Sequence, residues 1–193
     1  MRRYNDIDGP SKSPYVKYDV KGFLKLGGFI LFLGLVFLLM IHFLVVPKDP
    51  ITADQAEQIM QELGYSPQDV TEAYYNSDPN YRSTLKRSVA FETADIHFEF
   101  FEFLTDKSAS NLYGQAYTNI IREKDGSNTI KIHQKVANYI FFTLDDHTTY
   151  NVAIYVGNTA VYAYASSEQK AAVNQVLDKM GYLESSIFKR DKA

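Results

Sequence analysis

Outside an apolar run near its N-terminus, the chain's histidines are His97, His133 and His147, and it has no cysteine. His97 and Glu99 sit two apart in Ile96–Leu104, which reads IHFEFFEFL, so they share one face of a strand. If His133 lies on a neighbouring strand, the three make a His–Glu–His set of the kind that binds zinc. The spacing is far looser than a real ligand motif, and a histidine on a solvated strand face is commonplace. No metal is therefore expected, and His97, Glu99 and His133 stand only as weak candidates. Glu99 and Glu102, three apart in the same strand, point to opposite faces and cannot share a hydrolytic site. His147, in Asp145-Asp146-His147-Thr148, reads as a hairpin loop, where a carboxylate beside an imidazole is turn chemistry. No phosphate loop, Gly-x-Ser-x-Gly elbow, His-Glu-x-x-His helix or calcium loop occurs. No catalytic residue is assigned and no cofactor is expected.

The aromatic residues carry more. Val156-Gly157-Asn158-Thr159 predicts a two-residue hairpin turn. That turn sets Tyr155 opposite Ala160, Ala153 opposite Tyr162 and Asn151 opposite Tyr164. Val152, Ile154, Val156, Val161 and Ala163 then form the core face, with the tyrosines on the other. If helices cover only the core face, Tyr155, Tyr162 and Tyr164 form a platform whose flat rings and polar tips suit peptide or sugar contacts. The plainer role for such tyrosines is to stabilise the hairpin, at roughly 0.2–1 kcal/mol per cross-strand pair. These three are the candidate binding residues.

The elements that must position these residues follow from periodicity. Thr52 and Gln55 form a capping box, and Ala56, Ile59, Met60 and Leu63 follow at helical spacing before Gly64. Ser66-Pro67-Gln68-Asp69 is expected to open a second short helix, with a turn-rich break at 76–80. Strands are expected over Val89–Thr93 and Ile96–Leu104, and a third helix over Lys107–Glu123. Three more strands follow: 129–144, readable as one or two, then Tyr150–Val156 and Thr159–Ala165. Ser166 with Gln169 predicts a capping box for a last helix carrying Val173, Val176, Leu177 and Met180 and ending at Gly181. The fold class is α+β: a mostly antiparallel sheet with helices packed on one face, after one N-terminal transmembrane helix.

That helix comes from Leu26–Val46, 21 consecutive residues without Asp, Glu, Lys or Arg. At the helical rise it spans about 32 Å, matching a hydrocarbon core of about 30 Å. Its core is longer than a cleaved signal peptide's and lacks a small-x-small cleavage site, so it reads as an uncleaved anchor. Without Gly-x-x-x-Gly it does not predict close helix dimerisation; His42 near its end is expected to reach the interface. Arg2, Arg3, Lys12, Lys17, Lys21 and Lys25 precede the run and only Lys48 follows closely, which predicts a cytoplasmic N-terminus. Six bases against three acids leave the first 25 residues at +3; fourteen against twenty leave the rest at −6, together the net −3.

The expected organisation is a disordered basic cytoplasmic tail over 1–22, a signal anchor over 23–46, a short Pro-containing linker over 47–51 and an extracytoplasmic domain over 52–193. Partners are the lipid bilayer through 26–46 and an envelope protein or glycan. The acidic domain argues against nucleic acid. A Cys-free outer domain with no Asn-x-Ser/Thr acceptor suits the cell membrane of a Gram-positive bacterium. The expected function is a non-catalytic extracytoplasmic interaction or sensing domain. The alternatives are an envelope hydrolase assembled from scattered residues, or an accessory subunit of a membrane complex.

Overall fold

The computed structural model describes residues 20–44, 47–124, 126, 129–136 and 138–183, with backbone alone at 20–26, 40–44, 124 and 136. The chain divides into two compact units, 1–44 and 45–193. In the first, helix α1 runs Val20–Leu44, so it starts earlier than the expected anchor boundary at 23. Positions 27–39, whose side chains are described, are all exposed and span about 20 Å at the helical rise. Among the described residues no helix is long and apolar enough to cross a membrane. The rest of the 1–22 tail and the His42 side chain lie outside the described residues, as does the remainder of the Leu26–Val46 run beyond its backbone.

The second unit is α+β. In chain order it contains α2 (Ala53–Glu62), β1 (Gln68–Asp69), α3 (Thr71–Ser77), α4 (Tyr81–Thr84), β2 (Leu85–Glu92), β3 (Ile96–Phe103) and α5 (Asp106–Lys124). These are followed by β4 (Ile130–Val136), β5 (Tyr139–Asp145), β6 (Thr149–Val156), β7 (Thr159–Ser166) and α6 (Lys170–Lys179). The strands form one seven-stranded antiparallel sheet in the order β1-β2-β3-β7-β6-β5-β4. Residues 129–144 divide into β4 and β5, and the β6–β7 register pairs Tyr155 with Ala160, Ala153 with Tyr162 and Asn151 with Tyr164, as the hairpin turn requires.

One sheet face carries the larger core. Val89, Phe98, Phe100, Val152, Ile154, Val161 and Ala163 pack there against Ala56 and Met60 of α2 and Val173, Val176 and Leu177 of α6. The capping box is present, with Thr52 accepting from Gln55 N and Gln55 accepting from Thr52 N. Residues 47–51 are pinned to this unit. Lys48 bonds Asn138 and Gly181, and Ile51 N donates to the Tyr182 hydroxyl, which also meets Thr159 Oγ1 at 2.6 Å.

Three expectations are corrected. Helices cover both faces of the sheet. The second face carries Leu85, Phe101, Phe103, Phe142 and Leu144, and α5 lays Ala109, Leu112, Tyr113 and Ile120 over them. So much apolar surface on both faces cannot be left in water. Ser66–Asp69 does not open a helix: Gln68 and Asp69 pair with β2, and α3 begins at Thr71, whose N–H is bonded by Asp69 Oδ1 at 2.9 Å. Ser166 makes no capping bond; a 3-10 turn, Ser167–Gln169, leads into α6 instead.

Candidate functional site

The face of β3 that holds His97 and Glu99 is overhung by α3, and the position of α3 is fixed by local hydrogen bonds. Thr71 Oγ1 accepts from Ser88 N at 2.9 Å, Val70 N donates to Ser88 O, and Tyr75 hydroxyl donates to Leu85 O at 3.0 Å. Beneath the helix, β2 contributes Ala90, whose side chain ends at Cβ and leaves a gap in the floor beside Glu99, its cross-strand partner. The result is an open cleft of about 620 Å³, with Gln68, Tyr74, Ala90, Glu92, His97 and Glu99 among its lining residues.

Glu99 is 5% exposed and well supplied with donors. Tyr74 hydroxyl donates to Oε2 at 2.8 Å, Ser88 Oγ reaches Oε1 at 3.2 Å, and His97 Nε2 lies 3.6 Å from Oε2. The His97 ring stacks on Tyr164 at 4.9 Å, with Tyr162 at 6.3 Å. Burial and the neighbouring Glu99 carboxylate together push the Tyr74 phenol well above its ordinary range, so it remains a neutral donor. For His97, the contact with the Glu99 carboxylate raises the pKa above the ordinary 6.5; partial burial opposes this and the charges of Glu99 and Glu92 add to it.

A chemical reading follows from these contacts. The Glu99 carboxylate is oriented by the Tyr74 hydroxyl on Oε2 and by Ser88 Oγ near Oε1, with His97 Nε2 standing off at 3.6 Å. Ser88 is fully buried and bonds Glu99 and Phe100 O, and among the described residues no serine or threonine hydroxyl is hydrogen-bonded to His97. The arrangement is a charged, partly aromatic recess.

The other candidates lie apart. His133 is on β4, four strands from β3 and so about 19 Å away at the usual strand spacing. It is held instead by Tyr113 hydroxyl at 3.2 Å beside the Tyr117 ring. The His97–Glu99–His133 set is therefore not brought together, and among the described residues no group of three His, Cys, Asp or Glu is placed to hold a metal. Glu102 lies on the opposite face from Glu99, accepting from Ala53 N at 3.0 Å and from Lys86 Nζ at 2.6 Å. His147 is a turn residue with φ of 67°, its N–H bonded to Asp145 Oδ1. Tyr155 and Tyr162 pack against the α5 clusters, and only Tyr164, 43% exposed, is open. The three tyrosines thus share a face but not an open platform. Of this group, Tyr164 joins the cleft's edge through His97. Sequence reasoning missed Tyr74, Ala90 and Glu92. The period-two pattern of β2 places the last two beside Glu99 and His97 once the β2–β3 hairpin register is known.

The His97–Glu99 pair makes stability depend on pH. Its folded pKa is raised, so its contribution is fully present below the unfolded value and is lost as pH rises through the folded one. The urea midpoint of the full chain should therefore fall as pH is raised from about 6 through the folded His97 pKa. This component of the slope should vanish in His97→Gln; an identical slope in that variant would assign the effect elsewhere.

No protein-family model matches the chain, and no curated protein matches it in sequence. A solved structure similar to it is that of a GTP binding regulator from Thermotoga maritima, 12% identical, with a TM-score of 0.42 over 72% of this chain and 93% of the other. A likeness at that level carries no argument about function.

Proposed function

We propose that the protein is a single-pass membrane protein whose domain over 52–193 is a non-catalytic extracytoplasmic binding or sensing module, with the α3–β3 cleft as its recognition site. The observation that carries the reading is the open cleft around a buried carboxylate oriented by Tyr74 and Ser88, with no hydroxyl hydrogen-bonded to His97 among the described residues. The uncharged 21-residue run and the basic flank before it support the anchor and its direction. A cell membrane of Gram-positive type remains the setting that the Cys-free domain suits.

The absence of cysteine supplies a clean test of topology. Single-cysteine variants Ser77→Cys, at the cleft, and Ser13→Cys, in the tail, would be treated with a membrane-impermeant maleimide on intact cells. Ser77→Cys should label at once and Ser13→Cys only after lysis. The reverse pattern overturns the orientation, and equal labelling in soluble extract overturns the anchor. The hydrolase reading draws on one observation, the raised His97 pKa inside a cleft. It would gain ground only if turnover of an envelope substrate were lost in His97→Gln.

A further inference from the structure

The charges around the cleft say what it would hold. Glu92 and Glu99 lie on the same face of adjacent strands, Glu92 opposite His97 and Glu99 opposite Ala90. Among the described residues no Lys or Arg lines the cleft. The nearby cations are spent elsewhere. Arg87 is held by Asp54, Glu57 (2.6 Å) and Asp69 (2.8 Å), and Lys86 by Glu102 on the opposite sheet face. Among the described lining residues the cationic group is therefore His97 when protonated, and its contact with Glu99 is long for a charge-assisted bond, at 3.6 Å. Above the imidazole's pKa the cleft holds two carboxylates and no compensating charge.

The remaining walls fit the same occupant. Tyr74 lines one side with a half-buried aromatic ring, a surface that suits the apolar stem of an organic cation whose charged end meets the carboxylates. Gln68, Ser66 and Ser77 line the rim and offer oxygen acceptors for N–H donors. The gap at Ala90 gives access to Glu99 from the cleft, and its volume suits a molecule of a few to about fifteen heavy atoms.

We propose that this cleft binds a small organic cation carrying a primary ammonium or guanidinium group, seated between Glu92 and Glu99 against Tyr74. The proposal rests on the reading of the cleft as a recognition site and names its ligand class. The bound ammonium takes the place beside Glu99 that protonated His97 otherwise fills, so ligand and proton compete for one carboxylate. The groups facing His97 are Glu92 of β2, Glu99 of β3, Tyr162 and Tyr164 of β7, and, through Glu99, Tyr74 of α3.

The test uses the full-length protein in detergent micelles with 13C-labelled histidine, and putrescine and agmatine as probes. N-acetylglucosamine disaccharide is the neutral probe and glutarate the anionic one. The expected result is a saturable shift of the His97 resonance by the two cations. Affinity should fall by about tenfold in Glu92→Gln, an exposed site whose loss the fold tolerates, and on lowering the pH until His97 is protonated. Glu62→Gln, an exposed carboxylate on α2, should leave the affinity unchanged. Equal weakening by Glu62→Gln would assign the effect to the domain's general negative field and overturn the proposal. A disaccharide or glutarate shift at His97 equal to that of putrescine, insensitive to Glu92→Gln, would overturn the cation class while keeping the cleft as a binding site. No response of His97 to any of the four probes would overturn both.

Discussion

Replacing Glu99 with alanine is expected to lower the unfolding free energy of the 45–193 unit by about 3 kcal/mol, read as a fall in the urea midpoint at constant slope. The carboxylate is the acceptor on which three elements converge: Tyr74 from α3, Ser88 from β2 and His97 from its own strand. Ser88 Oγ keeps an acceptor in Phe100 O at 3.1 Å, so its loss is small. The Tyr74 hydroxyl has no such reserve in the contacts it makes, and a half-buried phenol left without an acceptor costs about 1–3 kcal/mol. A gap under α3 adds to this. Removing a buried charge also removes its desolvation cost, which offsets part of the loss and keeps the estimate near the lower range for buried polar networks. A double-mutant cycle separates these effects. Tyr74→Phe alone should cost about 1 kcal/mol, and in the Glu99→Ala background it should cost nothing or restore stability, for a coupling of about 1–3 kcal/mol. Additive losses would mean that the Tyr74–Glu99 bond does not hold α3 over the sheet.

How much of this was legible beforehand depends on the range over which each feature is specified. The Gly157-Asn158 turn fixes its own hairpin, so the β6–β7 register and the faces of Tyr155, Tyr162 and Tyr164 followed from a few adjacent residues. The Thr52–Gln55 box and the opposite facing of Glu99 and Glu102 are equally local. The covering of the tyrosine face is not. It depends on Phe101, Phe103, Phe142 and Leu144, dispersed over two strands far apart in sequence, adding up to a second apolar surface that α5 must cover. Two-residue β1 was missed because Ser66-Pro67 imitates a helix start, while the strand exists only through its pairing with Val89 and Ala90. The cleft depends in turn on β1 and on the docking of α3, so Glu92 and Tyr74 could not be placed beside His97 from spacing alone. His133 failed for a related reason: strand order puts β4 at the far edge of the sheet, and no local pattern in residues 129–144 encodes that position.

The same strand that supplies the cleft also supplies the larger core, and this gives the second large expected effect. Phe98 lies between His97 and Glu99 in sequence but faces the opposite side, where it is fully buried. Its ring stacks on Phe91 at 5.4 Å, and Phe91 stacks on Tyr65 at 4.0 Å beyond the end of α2. Phe98→Ala therefore removes the most buried ring of a three-ring column and leaves a void between the sheet and the cluster that α2 and α6 pack on it. The expected loss is about 3–5 kcal/mol, a large share of the 5–15 kcal/mol that holds a typical domain folded. Tyr164→Ala, at an exposed ring that only flanks His97, should change stability by no more than about 0.5 kcal/mol while altering the His97 resonance. The two variants together ask whether the faces of β3 are independent. A Phe98→Ala protein that still folds in the cold should keep the wild-type His97 chemical shift, because the sheet separates the void from the cleft. A loss below about 1 kcal/mol would show that the column carries little of the core. A moved His97 resonance would show that the two faces are coupled through the strand, and that recognition in the cleft cannot be altered without cost to the fold.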